Sequence, residues 1–393
     1  MSDGIHRKFL ETLGWTGQEL EEFLPDWLNT ARFLHLTDED VRRAVEEWIP
    51  AYWNISLSGV RKSIAACIRE AADTAKMGAY MREGKKVLYS TMPSCPVCIT
   101  ANKLAGEGRL EISYPYFIVT SILGAFFNKS TDQLFHASCM DPNCHHCGMN
   151  CMRADSVMSG TIPKPTVTWN WGLQCNESPK TDEMIFTLGK AEWDNVLTTI
   201  PHDAPLGDSE ADDDERVEYL KEAIRVSQEE ATPHTGIEVR EEHLRAAVSE
   251  YMGYLKRIEH LTDLVMNADP QPLTGNELAL MGSCMESAFN TGLGWLNDAI
   301  DTAIAEVEEL IREGRGVLPK GAPKLACHFN PLNIPWIEKT FRDNGVNLTL
   351  GRMFPPASFL IRRIDENDIY TSTARMCLSV PNPVHKLDQD RMV

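Results

Sequence analysis

The segment from Cys139 to Cys151 limits what this chain can fold into, because it holds four cysteines at the spacing C-x4-C-x2-C-x3-C. Structural cysteines are usually scattered along a sequence, since each one only fills space in a core. A short segment with four thiols is instead typical of a loop that wraps a metal ion or a cluster. Thiolates are soft ligands that select zinc or iron–sulfur clusters. The ligand candidates in this segment are Cys139, Cys144, Cys147 and Cys151.

The cysteine content also bears on where the protein works. The N-terminal residues Met1-Ser2-Asp3-Gly4 contain no apolar signal core, and the chain has no run of about 18 apolar residues, so we expect a cytoplasmic protein without a membrane span. In a reducing compartment eleven cysteines favour ligands or catalytic thiols over a disulfide frame. We interpret the segment as iron–sulfur ligands, with structural zinc, disulfides and inert thiols as the alternatives. Oxygen-sensitive clusters would indicate an anaerobic organism.

Length and charge narrow the class of protein. A chain of 393 residues corresponds to roughly two or three domains, and 43% hydrophobic with 24% charged residues is typical of a globular protein. The net charge of −19 argues against a nucleic acid partner, because phosphate binding needs a basic face. An anionic small molecule held by a local pair of basic side chains remains compatible with it. The candidates for such a role are Arg352, Arg362 and Arg363, with ordinary surface arginines as the alternative.

The pattern of apolar residues predicts the domain organisation. Helical periodicity covers residues 1–84, where one helix is predicted to end at Pro50. Residues 85–206 are predicted to form a first α/β domain that carries the cysteine-rich loop, residues 207–320 a helical segment, and residues 321–393 a second, short α/β domain. The predicted fold class is therefore α/β, with two flavodoxin-like or Rossmann-like domains, a helical N-terminal region and a long helical insert.

Cysteines follow two of the predicted strands. The strand Val87–Thr91 leads into Cys95-Pro96-Val97-Cys98, and the strand Pro165–Trp171 leads to Cys175. In a doubly wound sheet, ligands bind beyond the carboxyl ends of the strands, so these cysteines are predicted to lie at a binding site. A C-x-x-C pair alone fits a redox pair, half of a zinc site or cluster ligands.

Several short motifs occur in an order that resembles one family. They are Gly84-Lys85-Lys86-Val87, Cys147-x3-Cys151 followed by Ser159-Gly160, Pro165 to Cys175, Thr199 to Pro205, Pro272-Leu273-Thr274-Gly275, and Asn330-Pro331-Leu332-Asn333 leading into Ile337-Glu338. Over residues 84–356 the chain resembles the D-component subunits of 2-hydroxyacyl-CoA dehydratases. The same family includes the cluster-holding subunits of ATP-dependent benzoyl-CoA reductase and the double-cubane cluster proteins. The order of the motifs carries the resemblance, since no single motif is decisive.

The resemblance implies a cofactor, a mechanism and partners. In this family each subunit binds a low-potential [4Fe-4S] cluster through three cysteines and leaves one iron open to water or to the substrate thioester. A homologous subunit completes a homo- or heterodimer, and a separate activator ATPase supplies one electron at a time. Carried over to this chain, Cys147 or Cys151 is the first ligand and Cys175 the second.

Two departures from the family affect the ligand set. The family usually places a further cysteine after a later strand of the second domain, and we expect this chain to end several tens of residues before that point. The chain also has surplus thiols, which either replace the missing ligand or support a double-cubane cluster. The predicted ligands, facing one cavity, are Cys139, Cys144, Cys147, Cys151 and Cys175, with Cys95 and Cys98 as further cofactor-binding residues on its rim.

Three functional hypotheses remain open at this point. The first is an iron–sulfur subunit of a low-potential, ATP-activated reductase or dehydratase that acts on an acyl-CoA thioester by one-electron chemistry. The second is a double-cubane reductase of small molecules, and the third is a non-catalytic, cluster- or zinc-binding partner subunit. Iron and sulfide analysis separates the clusters from zinc. Cys67 and Cys284, which lie within predicted helices, are predicted to be structural.

Overall fold

The computed structural model of this chain describes most of its residues. The described ranges are 3–91, 94–131, 147–172, 177–187, 189–199, 211–285, 287–327, 332–351, 365 and 367–378. Within them the fold is mixed α/β with a parallel sheet, which confirms the predicted α/β class. None of the described helices combines the length and the apolar character that crossing a bilayer would require.

Helices fill the N-terminal region, as the periodicity predicts. They are α1 (Asp3–Thr12), α2 (Gly17–Phe33), α3 (Asp38–Arg43), α4 (Ile49–Tyr52), α5 (Ser58–Thr74) and α6 (Met77–Arg82), with a π-helical turn at Ala44–Trp48. Aromatic rings form the core of this region. Phe9 and Trp27 stack with their ring centroids 4.5 Å apart, and Phe127 from a later helix contacts both. The buried tryptophans here are therefore packing residues.

The prediction that a helix ends at Pro50 is wrong. Helical backbone continues from the π-helical turn into α4, where Pro50 lies in the first turn. Proline has no N–H to donate, which normally interrupts a helix. The π turn replaces the regular hydrogen-bonding pattern just before this point, and the first turn of a helix does not require that donor. The chain therefore stays helical to Tyr52.

Four parallel strands form the larger sheet of the described residues, in the order β2-β1-β3-β4. Their bounds are β1 Lys86–Ser90, β2 Leu110–Ser113, β3 Val167–Gly172 and β4 Asp194–Thr199. The helices between them are α7 Pro96–Gly106, α8 Pro115–Phe127, α9 Gly148–Met158 and α10 Glu177–Thr187. Leu88 of β1 pairs with Ile112 on one side and Val167 on the other. Residues of β1 and β3 are mostly buried, as in parallel sheets covered by helices.

Long helices follow the sheet, in the region where they are predicted. They are α11 Ala211–Thr235, α12 Glu241–Asn267, α13 Gly275–Met281 and α14 Gly294–Glu313, with a 3-10 turn at Ser283–Met285. A smaller sheet pairs β5 (Lys324–Cys327) with β6 (Asn347–Gly351) in parallel, with α15 (Trp336–Asp343) between them. The last described helix, α16 (Ile369–Leu378), packs against α11 and α12.

A buried carboxyl group joins the N-terminal region to the helical segment. Glu70 of α5 accepts hydrogen bonds from the backbone N–H groups of Asn290 (2.9 Å) and Thr291 (3.0 Å) and from the Thr291 hydroxyl (2.9 Å). Burial, and then the negative charge of Asp73, raise the pKa of Glu70 to about 7. The side chain is therefore a proton-binding group inside the fold near neutral pH.

A close backbone approach joins α8 to the segment before α15. A Cβ atom at Gly124 would overlap the backbone oxygen of Asn333, so the approach requires glycine. Asn276 of α13 donates a 3.1 Å hydrogen bond to the backbone oxygen of Pro335 in the same segment. The segment 332–335 therefore contacts both α8 and α13.

Candidate functional site

The carboxyl ends of β1 and β3 define the candidate site. These two strands are neighbours in the sheet although they are distant in sequence. Because the sheet is parallel, both strands end at the same edge of it, which is where such sheets bind ligands. β1 leads to Cys95 and Cys98, and β3 leads to the position of Cys175. The sheet order therefore brings together at one edge the strand ends that precede these cysteines in the sequence.

Several of the predicted site residues lie outside the described ranges, and their roles stay predictions. They are Cys139, Cys144 and Cys175 among the ligand candidates, and Arg352, Arg362 and Arg363 among the candidates for binding a CoA phosphate.

Cys147 and Cys151 lie together at the start of α9. Cys147 is the residue that precedes the helix and is exposed, whereas Cys151 is half-buried. The backbone N–H of Cys151 donates a 3.0 Å hydrogen bond to the carbonyl oxygen of Cys147, so the two residues are one helical turn apart. Residues at this spacing share one helix face, and a helix start favours negatively charged groups. The pair is therefore placed as two adjacent thiolate ligands would be.

A buried ion pair anchors α9 to the helix that follows Cys175. The Nη1 atom of Arg153 lies 2.9 Å from an oxygen of Asp182 in α10, and both side chains are almost fully buried. The Nη2 atom of Arg153 donates a 2.6 Å hydrogen bond to the backbone oxygen of Ser178. Burial raises the pKa of Asp182, although Arg153 and Asn170 act in the opposite direction. The helix that starts at Cys147 is thus fixed to the helix that starts after Cys175.

The same buried network reaches the ends of both central strands. Asn170 of β3 donates a 2.8 Å hydrogen bond to the Ser178 backbone oxygen and accepts one of 2.8 Å from the Ser178 hydroxyl. The Thr91 hydroxyl, just beyond β1, donates to Asn170 at 2.9 Å. Side chains from α9, α10, β3 and the residue after β1 therefore form one hydrogen-bonded network. Sequence reasoning missed this network, because its members are separated in sequence and carry no shared motif.

Cys95 and Cys98 form a separate thiol group with Cys377. Cys95 precedes α7, Pro96 opens the helix, and Cys98 lies in its first turn. Both thiols are 0% exposed, and Cys377 of α16 is 9% exposed. Interactions with Cys98 and Cys377 act on the pKa of Cys95, so the three thiols are near one another. Sequence reasoning did not assign Cys377 to any site, because only the packing of α16 brings it here.

The environment of Cys95 differs from that of its two neighbours. Burial alone would raise the pKa of Cys95, but hydrogen bonds from Cys377, from Cys98 and from the backbone N–H groups of Cys98 and Val97 hold it well below the usual thiol value. None of these contacts is a regular N-cap hydrogen bond of the Cys95 side chain. Burial and the contact with Cys95 raise the pKa of Cys98. The contact with Cys95, followed by burial, raises the pKa of Cys377.

The described donors fit a cluster in part. Within the described ranges, no set of three or more His, Cys, Asp or Glu side chains is arranged to hold a metal ion. Cys147 and Cys151 are nevertheless of the soft donor type that iron–sulfur clusters and zinc take. The described residues thus supply two adjacent thiols of the predicted kind, and the further ligand candidates of the cysteine-rich loop lie outside the described ranges.

A comparison with known protein families identifies the family of this chain. The model of the family described as 2-hydroxyglutaryl-CoA dehydratase, D-component, matches residues 174–393. Since this match covers more than half of the chain, the chain belongs to that family, which confirms the resemblance. The matched part begins immediately before Cys175 and leaves out the cysteines from 95 to 151. No match was found among curated proteins.

Proposed function

We propose that this chain is the iron–sulfur subunit of a low-potential, ATP-activated reductase or dehydratase that acts on an acyl-CoA thioester by one-electron chemistry. Membership of the family supports the class of reaction, since the family is described by a CoA-ester dehydratase component. The observation that carries the proposal is the Arg153–Asp182 ion pair. It fixes the helix that starts at Cys147 to the helix that follows Cys175.

The proposed ligands come from the cysteine-rich loop and from the segment that follows β3 in the sequence. Cys147 and Cys151 at the start of α9 supply two of them, and Cys175 and the remaining cysteines of the loop, Cys139 and Cys144, supply the others. When bound, a [4Fe-4S] or double-cubane cluster supplies electrons of low potential, one at a time.

The protein's own residues prepare this site by excluding water and fixing the backbone. Trp169 and Trp171 of β3 are buried and stack with their centroids 5.0 Å apart. Tyr116 of α8 donates a hydrogen bond to the backbone oxygen of Ser90 at the end of β1 (3.3 Å). A dry, hydrogen-bonded surrounding of this kind tunes cluster potential and limits solvent access.

The partners and the domain plan form part of the same proposal. A homologous subunit would complete a homo- or heterodimer, and an activator ATPase would donate the electrons. The parallel pair of β5 and β6 with α15 between them supports a second, short α/β unit of flavodoxin-like or Rossmann-like type. The boundaries at residues 84, 206 and 320 remain proposals, as does a cytoplasmic location.

Anaerobic production of the full chain tests the proposal. We expect a brown protein with acid-labile sulfide, about four irons per chain for one cubane or about eight for a double cubane, and an EPR signal after reduction. A colourless protein that carries one zinc and no sulfide would contradict the redox function. It would leave the zinc-binding partner subunit as the function of the same thiols.

A further inference from the structure

A groove with a volume of about 700 Å³ runs between β4 and α11. β4 is an edge strand in the sheet of the described residues. Its Val196 and Thr198 side chains are buried, whereas Leu197 is 43% exposed and lines the groove. The Thr198 hydroxyl donates a 2.7 Å hydrogen bond to the Ser227 hydroxyl of α11. The two walls of the groove are therefore fixed to each other.

The helix α11 has a second apolar stripe beside the one that is buried in the fold. The buried stripe includes Leu220 and Ile224. The second stripe consists of Tyr219, which is 49% exposed, the half-buried Ala223, and Val226, which is 38% exposed. All three line the groove, and their spacing of four and then three residues is that of a seam along which a second helix packs. The stripe therefore indicates a helical partner.

The shape of the groove fits a protein segment better than a small molecule. Small-molecule sites enclose most of the surface of their ligand, whereas the apolar side chains of this groove are open to solvent. Leu197 from β4 adds to the apolar surface formed by Tyr219 and Val226. Contiguous exposed apolar surface with a polar rim marks sites of protein interaction.

The rim of the groove is acidic. Of the described residues that line it, none is basic, and the glutamates are Glu215, Glu218, Glu222 and Glu230. Lys221 donates to Glu218 at 3.1 Å, and Arg225 donates to Glu222 at 2.9 Å. Glu215 and Glu230 form no ion pair with any described residue. A basic partner would supply the missing cations, whereas a second copy of the same groove would add like charges.

We propose that this groove binds a basic, amphipathic helix of a partner protein. The apolar face of that helix packs on Leu197, Tyr219 and Val226, and its lysine or arginine side chains pair with Glu215 and Glu230. Between these two glutamates the groove extends for about 22 Å, which corresponds to about four turns of a partner helix. The inference goes beyond the proposed function, because it involves no thiol and no cluster.

Peptide binding to the full chain tests the proposal. The probe is a fluorescein-labelled peptide of about 16 residues, with leucine along one face of the helix and lysine at the flanking positions. A matched peptide carries glutamate in place of every lysine. We expect saturable binding of the lysine peptide by fluorescence anisotropy, and weaker binding at high salt. Binding of the glutamate peptide should be at least about tenfold weaker.

Variants separate the groove from the general negative charge of the protein. Tyr219→Ser and Val226→Ser should each weaken binding of the lysine peptide at least about fivefold, because they remove apolar contact area. Ile311→Ser in α14 is the matched control at a similarly exposed residue and should leave binding unchanged. Glu230→Gln should weaken binding, whereas Glu47→Gln, at an exposed position outside the groove, should not. Circular dichroism checks that each variant is folded.

Failure of the lysine peptide to bind, as expected if another part of the chain covers the groove, would overturn the proposal. Equal effects of the groove variants and their controls would also overturn it, by placing the peptide elsewhere on the acidic surface. Equal binding of a lysine peptide with a central proline, which cannot form the helix, would show that the groove takes an extended segment instead. Self-association in light scattering that Val226→Ser abolishes would make a second copy the occupant. Iron analysis tests the proposed function independently of all these results.

Discussion

Arg153 of α9 and Asp182 of α10 form a buried ion pair, with 2.9 Å between Arg153 Nη1 and Asp182 Oδ1. Such a pair is a weak source of net stability, because both charges lose their hydration. Removing one partner, however, leaves the other charge buried without compensation. The pair therefore fixes the relative position of α9 and α10 more than it stabilises the fold as a whole.

Asp182→Asn should lower the free energy of unfolding by about 3–5 kcal/mol, since it leaves the Arg153 guanidinium buried and unbalanced. Chemical denaturation measures the loss. The exposed pair between Lys164 and Glu192, with 3.0 Å between the charged atoms, is the matched control, and Glu192→Gln should change stability little. Equal effects of the two substitutions would show that the buried pair has no special role.

Stability should depend on pH through Glu70. Its pKa is raised by burial to about 7 in the folded state, above the unfolded value of about 4.3. Between these values the folded protein holds more protons than the unfolded chain, so the free energy of unfolding falls as pH rises from about 4.3 to 7 and levels off above. The effect is at most about 4 kcal/mol. Denaturation at several pH values should show a flatter slope for Glu70→Gln, and an unchanged slope would contradict the assignment.

Replacing thiols one at a time should separate ligands from core residues. Cys147→Ser and Cys151→Ser should lower the iron content of anaerobically prepared protein, because they remove proposed ligands. Cys67→Ala and Cys284→Ala should leave it unchanged. Burial raises the pKa of Cys67 to about 12, so this thiol stays protonated, and metal ligation needs the thiolate. Loss of iron in Cys67→Ala with an unaltered circular dichroism spectrum would refute the structural role.

Gly124→Ala should destabilise the contact between α8 and the segment before α15. The added methyl group would overlap the Asn333 backbone oxygen, and overpacking of this kind costs about 1–3 kcal/mol. Gly253→Ala in α12 is the control, since its nearest atom would be the end of the Arg257 side chain at 3.5 Å. The midpoint temperature of thermal unfolding should be lower for Gly124→Ala and should be unchanged or higher for Gly253→Ala.

Local signals in the sequence were enough to predict part of this fold. Residues 167–172 form a strand where β-branched and aromatic residues predict one, and the helices around residues 239–264 and 296–311 follow their apolar periodicity. The short strand β2 was not predicted, because its four residues are a strand only through pairing with β1.

The thiol groups show the same division. The C-x-x-C motif and the pair Cys147 and Cys151 stand out in the sequence because their members are close together in it. The position of Cys377 near Cys95 and the Arg153–Asp182 ion pair arise from contacts between elements that are distant in sequence. No local sequence pattern could therefore have predicted them. The sequence after Pro356 carries too weak a pattern to have predicted that α16 packs on α11 and α12.

The two strands that pair with β1, β2 and β3, are synthesised at different times. β2 follows β1 after one helix, but β3 emerges only after α8, the cysteine-rich segment and α9. Until then one side of β1 is an edge with unpaired N–H and C=O groups, which invites association with other chains. We therefore expect the nascent chain to be most prone to aggregation while the ribosome adds residues 132–166, and any cofactor to be inserted only after β3 has closed that edge.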